Sequence, residues 1–171
     1  FRRFLFVFAI LFFAAGASFA QLIADNAESE TVGTKVNLSS PYHTTLTFFY
    51  NLEESEFHPE KAAQTLDMTD MPDADGAKLS LKLKQVFEGK GIIIRTSSVP
   101  NLPNYQDSTS GNTESLYFFD KQKIPGVFLE KKGKQWKFSA FTVSQINELH
   151  KETYPYGTAK LLNLLPQIGN D

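Results

Sequence analysis

The chain has 171 residues, a formal net charge of −2, 42% hydrophobic residues and no cysteine. This length allows one domain with a substantial core. The lack of cysteine excludes disulfides, thiol nucleophiles, iron–sulfur clusters and Cys-based zinc sites, and a mildly acidic chain gives no electrostatic reason to expect nucleic acid as a partner.

Residues 1–20 have the three-part layout of a secretory signal peptide. Arg2 and Arg3 form a basic start, an apolar run extends from Leu5 to Ala15, and the small residues Ser18 and Ala20 occupy the −3 and −1 places of a cleavage site. The apolar run is shorter than the roughly 18 residues of a spanning helix. This pattern favours cleavage over an uncleaved anchor, and cleavage would move the net charge from −2 to −4 because it removes two Arg and no acid.

Three helices are predicted after a flexible leader, or weak strand, at 21–38. Ser40 can cap a helix that begins at Pro41 and extends for about twelve residues. Its apolar positions are Tyr42, Leu46 and Phe49, with Phe48 and Leu52 beside them. A short helix begins at Pro59, and an acidic loop covers 67–75. A third helix, 76–89, has apolar residues at helical spacing and a glycine at its end: Leu79, Leu83, Val86, Phe87 and Gly89.

Short β runs and a closing helix follow. Residues 92–94 predict a buried strand, 99–112 a long polar loop, and 116–119, 127–129 and 136–138 three strands, the last two joined by a hairpin turn at 132–134. Thr142 and Gln145 match a capping box for the last helix, with Phe141 and Ile146 as a hydrophobic staple. The helix is expected to end at 154–157. This order predicts an α+β domain over 39–157: helices first, then a small antiparallel meander and a closing C-terminal helix.

The candidate chemistry is sparse. His43, His58 and His150 have no metal-binding or catalytic spacing, so we interpret them as capping or surface residues. The stretch 70–76 resembles a calcium loop, but Met71 and Lys82 stand where an EF-hand needs acidic ligands, which favours a solvated turn over an adventitious calcium site. We therefore predict no catalytic residue, no cofactor and no metal.

The order of several short motifs resembles a known family. The motifs are 40–42, 49–52 and 57–63, then 89–91, 100–105 and 107–111, and finally 136–139, 149–150, 154–157 and 161–166. Together they are similar to the extracytoplasmic N-terminal domain of small-conductance mechanosensitive (MscS-like) channel proteins of Bacteroidetes. The resemblance covers roughly Ser39 to Pro166, and it implies a domain that precedes transmembrane helices and a pore in a protein that releases ions under osmotic stress.

The resemblance carries no pore residue over to this chain, which stops at Asp171 and starts at Phe1 rather than Met. We therefore expect a fragment whose apolar tail, 158–171, leads into a missing membrane region. The implied partners are that membrane region, other channel subunits or an envelope component, with a homo-oligomer only if the pore region is present. The implied location is the periplasmic face of the envelope.

Two groups of residues are candidates for interaction. The corner at 154–157 and the tail at 161–166 would attach the domain to its membrane region. The residues concerned are Tyr154, Tyr156, Leu161, Leu162, Leu164 and Leu165. In the alternative hypothesis, a free-standing periplasmic binding module, the polar loop would hold a ligand through Tyr105, Asp107, Ser108 and Ser110. An exported hydrolase would need a base beside Ser108 or Ser110, and we expect none.

Overall fold

The computed structural model describes residues 35–107 and 115–156. Their helices are α1 (Pro41–Tyr50), α2 (Pro59–Ala63), α3 (Gly76–Gly89) and α4 (Ala140–Thr153), and their strands are β1 (Leu116–Phe118), β2 (Phe128–Lys132) and β3 (Gln135–Phe138). Two short 3₁₀ turns lie at Glu54–Glu56 and Thr96–Ser98. The predicted α+β class and element order are confirmed. None of these helices is both long and apolar enough to cross a bilayer.

The sheet is an antiparallel meander in the order β1-β2-β3. Gly133 closes the β2–β3 hairpin with φ of +61°, a conformation that favours glycine, as the predicted turn requires. The outer edge of β3 is occupied, because Trp136 N donates to Leu38 O at 2.7 Å and Leu66 forms a parallel bridge with Phe138. Leu38, at the end of the predicted leader, is thus attached to the sheet.

The outer edge of β1 has no strand beside it among the described residues. Lys131 N donates to Ser115 O at 3.1 Å, so Ser115 points its backbone groups towards β2. Because hydrogen-bonded and non-bonded positions alternate in an antiparallel pair, Leu116 and Phe118 direct their backbone groups away from the sheet.

The core lies between the helices and one face of the sheet. Aromatic rings fill it: Phe48 and Phe87 from α1 and α3 meet Phe138, and Phe119 stacks on Phe138 with ring centres 5.5 Å apart. Among the apolar residues named for α1 and the position just after it, burial differs from the predicted spacing. Phe48 and Leu52 are buried, with Thr44, Thr45 and Thr47 on the buried side, whereas Tyr42, Leu46 and Phe49 are half-buried at its margin.

The strand predicted at 92–94 does not form. Helix α3 ends in a Schellman motif, in which Ile92 N donates to Phe87 O at 2.9 Å and Gly91 N donates to Glu88 O at 3.0 Å. Gly91 has φ of +63°, which turns the chain out of the helix. Ile93 is 84% exposed. Three isoleucines favour a strand, but these residues do not form one because no strand in the described part of the chain pairs with them.

The start of α4 also differs from the prediction. Ser139, not Thr142, is the N-cap, and its Oγ accepts from Thr142 N at 3.0 Å. Thr142 Oγ1 lies 3.0 Å from Gly126 O and accepts from Phe128 N at 3.1 Å, so β2 uses the hydroxyl that was expected to cap. Phe141 is 56% exposed and forms no staple with Ile146, because its ring lies against Phe128.

Candidate functional site

The described part of the polar loop, 100–107, is bound along its length to the rest of the domain. Pro100 O accepts from Tyr42 N at 3.2 Å, and Pro103 O accepts from the buried indole of Trp136 at 3.0 Å. Asn104 Oδ1 accepts from Lys131 Nζ at 2.6 Å. These contacts hold the loop against the domain, which argues against this part as an adaptable ligand site.

Tyr105 and Asp107, predicted to contact a ligand, have structural partners. The Tyr105 ring lies 6.0 Å from Tyr117 and joins the aromatic core through it. Burial raises the pKa of Tyr105, and the charge of Asp107 raises it further. Asp107 is buried, and its Oδ2 lies 2.7 Å from Lys121 Nζ. Ser108 and Ser110 lie outside the described residues.

Tyr154 and Tyr156 are placed differently from each other. Tyr154 is half-buried, its hydroxyl donates to Gln85 O at 3.1 Å, and its ring lies 5.2 Å from that of His150. It therefore holds the end of α4 against α3. Tyr156 is 83% exposed. The other predicted attachment residues, Leu161, Leu162, Leu164 and Leu165, lie outside the described residues.

The three histidines are separated from one another. His43 Nδ1 lies 2.9 Å from the Ser40 hydroxyl at the start of α1, and exposed His58 lies 3.2 Å from Glu60. His150 Nε2 lies 2.7 Å from Gln85 Oε1, and burial and then the charge of Lys82 lower the pKa of His150. No group of three or more His, Asp or Glu in the described ranges could hold a metal ion.

The acidic stretch before α3 serves the helix. Asp75 is the N-cap, and its Oδ1 accepts from Lys78 N at 3.1 Å. Hydrogen bonds from the Lys78 backbone and side chain lower the pKa of Asp75. Its position at a helix N-terminus agrees with the predicted turn leading into a helix.

The outer side of the sheet carries a surface that was not predicted from the sequence. It is here called the aromatic face and is formed by Phe118, Phe128 and Phe141. The Phe128 ring lies 5.0 Å from Phe118 and 6.2 Å from Phe141. Lys121 Nζ lies 4.9 Å from the centre of the Phe118 ring. A cavity of about 590 Å³ adjoins this face, lined in part by Leu116 and Glu130.

A signal for the aromatic face was present in the sequence. Residues 116–119 are Leu-Tyr-Phe-Phe, so both sides of this strand are apolar, although an antiparallel sheet with one wet side alternates apolar and polar residues. Tyr117 points to the core and Phe118 to the outside, where it lies opposite Phe128 in the register. The position of Phe141 could not be foreseen, because it depends on where α4 starts.

A second apolar surface lies between α1 and the segment after α3. This groove, here called the apolar groove, has a volume of about 300 Å³. Its apolar lining consists of Leu46, Phe49, Phe87, Ile92 and Ile94.

Comparison of the chain with protein-family models, with curated proteins and with solved structures finds no match in any of the three. The candidate site is therefore described from the geometry of this chain alone. Within the described residues it offers two apolar surfaces, and the polar groups discussed above are bound to neighbouring parts of the domain.

Proposed function

We propose that this chain is a non-catalytic, extracytoplasmic domain of an MscS-like mechanosensitive membrane protein, where it contributes to gating, assembly or envelope contact. The observation that carries the proposal is the aromatic face. Apolar side chains clustered on a surface favour contact with another protein. Phe141, at 56% exposed, gives such a partner direct access to a large ring.

The use of the buried hydroxyl groups supports a non-catalytic role. Thr44 Oγ1 donates to Trp136 O at 2.9 Å, and Thr65 Oγ1 donates to Ala62 O at 2.6 Å. Ser40 and Ser139 cap helices. These hydroxyls hold the backbone, whereas a nucleophile needs a neighbouring base and access to substrate.

The resemblance of the motif order to the MscS-type extracytoplasmic domain supports the specific assignment, together with the signal-like start. In this proposal the chain is exported, and the domain lies at the periplasmic face next to the membrane region of the same polypeptide or of other channel subunits.

The first test is the genomic reading frame beyond Asp171. We expect several hydrophobic segments, each long enough to span a bilayer, followed by a Gly/Ala-rich pore helix. A stop codon with no hydrophobic segment after it would contradict the channel assignment and favour a free-standing periplasmic interaction module.

The second test is functional and uses the full-length gene in bacterial cells that lack their own mechanosensitive channels. We expect the gene to restore survival after a sudden drop in osmolarity. A matched gene without codons 36–156 should be exported equally well but show altered survival. Equal survival with and without the domain would count against a role in gating or assembly.

A further inference from the structure

The apolar groove has an acidic margin. Glu53 and Glu88 are among its lining residues, beside the five apolar side chains named above. Glu88 lies 2.6 Å from Lys84, which balances its charge, and Glu53 is the second carboxylate of the lining. The pKa of Tyr50, which also lines the groove, is raised by burial and then by the charges of Glu56 and Glu53.

The described chain ends near the C-terminal end of α3, which also contributes to this groove. Thr153 and Tyr154 pack on Gly89, the residue directly after Glu88, since a Cβ built on Gly89 would meet Thr153 Cγ2 at 2.4 Å and Tyr154 Oη at 2.8 Å. Tyr156, the last described residue, is two positions further on. Five more residues can span about 17 Å, which exceeds the roughly 10–12 Å diameter of a helix. Residues from 161 onwards can therefore reach the groove.

The sequence that follows has the chemistry that the groove requires. Lys160 stands directly before Leu161-Leu162-Asn163-Leu164-Leu165. Four leucines match an apolar floor, and one lysine matches the carboxylate of Glu53.

We propose that residues 160–165 bind in the apolar groove of their own domain, with the leucines on its floor and Lys160 beside Glu53. This inference goes beyond the proposed function and does not depend on it. A tethered segment needs only a weak intrinsic affinity to stay bound, because its effective concentration is in the millimolar range. The groove would then fix the direction in which the chain leaves the domain.

Disulfide cross-linking tests the proposal cleanly, because the chain contains no cysteine of its own. Thr96 lines the groove and is exposed, so Thr96→Cys with Leu162→Cys forms the test pair in the mature chain. Glu148→Cys with Leu162→Cys is the control pair: Glu148 is exposed on α4, eight residues before Tyr156, and lies off the groove. A helix rises about 1.5 Å per residue, so this control also lies within reach of residue 162.

We expect the groove pair to form an intramolecular disulfide about ten times faster than the control pair. Ile94→Asp should slow the groove pair to the control rate by making the floor polar. Lys160→Glu should slow it several-fold, and more at low salt, because like charges then meet at the margin. Circular dichroism and thermal unfolding of each variant verify that the domain remains folded.

Three results would overturn the inference. Equal rates for the two pairs would show that the segment does not prefer the groove. A covalent dimer whose yield rises with protein concentration would assign the groove to a second copy. Slow cross-linking of both pairs, with co-sedimentation of the chain on phosphatidylcholine vesicles, would assign residues 160–165 to the membrane surface instead.

Discussion

Gly89 shows how much of the domain can depend on the absence of one methyl group. An added Cβ would lie 2.4 Å from Thr153 Cγ2 and 2.8 Å from Tyr154 Oη, closer than Cβ atoms approach other heavy atoms in folded proteins. In an exposed helix, Gly→Ala usually stabilises by about 0.5–1 kcal/mol. Here we expect Gly89→Ala to lower the free energy of unfolding by about 1–3 kcal/mol, because α4 must move away from α3.

Urea denaturation of Gly89→Ala measures this effect, and Gly126→Ala is the matched control. A Cβ at Gly126 would meet only Phe141 Cε1, at an ordinary 3.4 Å, so this variant should unfold close to the unmodified chain. Thr153→Ala should partly restore Gly89→Ala, since it removes the nearest atom. A Gly89→Ala variant as stable as the original would show that α4 does not pack closely there.

Asp67 links the loop after α2 to the end of β2. Its Oδ2 lies 2.5 Å from Lys132 Nζ, and Oδ1 accepts from the hydroxyl and the backbone N–H of Thr69. Burial raises the pKa of Asp67, but the hydrogen bonds from Lys132 and Thr69 outweigh it, so the net pKa lies below the usual 3.8. This contribution to stability is complete above the unfolded-state pKa and is lost as the pH falls through the folded-state pKa.

We therefore expect Asp67→Asn to cost about 1–3 kcal/mol at pH 7, because Lys132 loses its charged partner and part of the buried site is left unsatisfied. The difference from the unmodified chain should shrink as the pH falls below 3.8, where that chain also protonates Asp67. Asp70→Asn, a change at an exposed residue nearby, should alter stability by less than about 0.5 kcal/mol. A constant difference from pH 7 to pH 2 would contradict this account.

At the scale of elements, the sequence offers two candidate N-caps for α4, Ser139 and Thr142, and the structure uses Ser139. Ser139 accepts the N–H of Thr142, whereas Gln145, the predicted capping-box residue, donates its side-chain amide to Ser144 Oγ at 3.4 Å. We expect Ser139→Ala to destabilise the domain by about 1 kcal/mol and Gln145→Ala to have a much smaller effect. Chemical denaturation of both variants measures this, and the reverse order would restore Thr142 as the cap.

The elements that the sequence predicts well are those encoded by local chemistry. Ser40 with Pro41, Asp75 with Gly76, and Gly133 in the hairpin each determine a boundary through a cap or a turn. The failures arise where a distant residue decides. Residues 92–94 look like a strand but receive no strand partner, and Thr142 gives its hydroxyl to β2 rather than to its own helix.

The candidate site was less predictable than the fold for the same reason. The polar residues of the loop do not by themselves reveal two contacts. Pro103 O accepts a hydrogen bond from the Trp136 indole, and Asp107 pairs with Lys121, and both partners lie in distant parts of the chain. The apolar residues of β1 were visible in the sequence, but their exposure depends on which side of the sheet the helices cover.

For the molecule as a whole, a substitution in the aromatic face can separate an effect on stability from an effect on contact with partners. Phe141→Lys changes a side chain that is 56% exposed, so we expect the free energy of unfolding to change by less than about 0.5 kcal/mol. In the full-length protein we expect fewer cross-links between this domain and its neighbours in the envelope, because a charge would stand in the centre of an apolar contact.

Leu102→Lys is the matched control for Phe141→Lys, since Leu102 is 60% exposed and lies in the loop outside the aromatic face. It should leave both stability and cross-linking unchanged. Equal loss of cross-linking in the two variants would indicate a general effect of charge, and unchanged cross-linking in both would argue against the aromatic face as the contact surface.

Among the residues that the structure describes, no strand covers the outer edge of β1, and this bears on how crowded copies of the domain behave. Strands exposed at a sheet edge can template the addition of further chains and so begin aggregation. Here β1 is only three residues long, and only Leu116 and Phe118 direct backbone groups outward. A strand that docked there would gain too few hydrogen bonds to fix its alignment. The short described edge therefore limits the addition of strands from other copies.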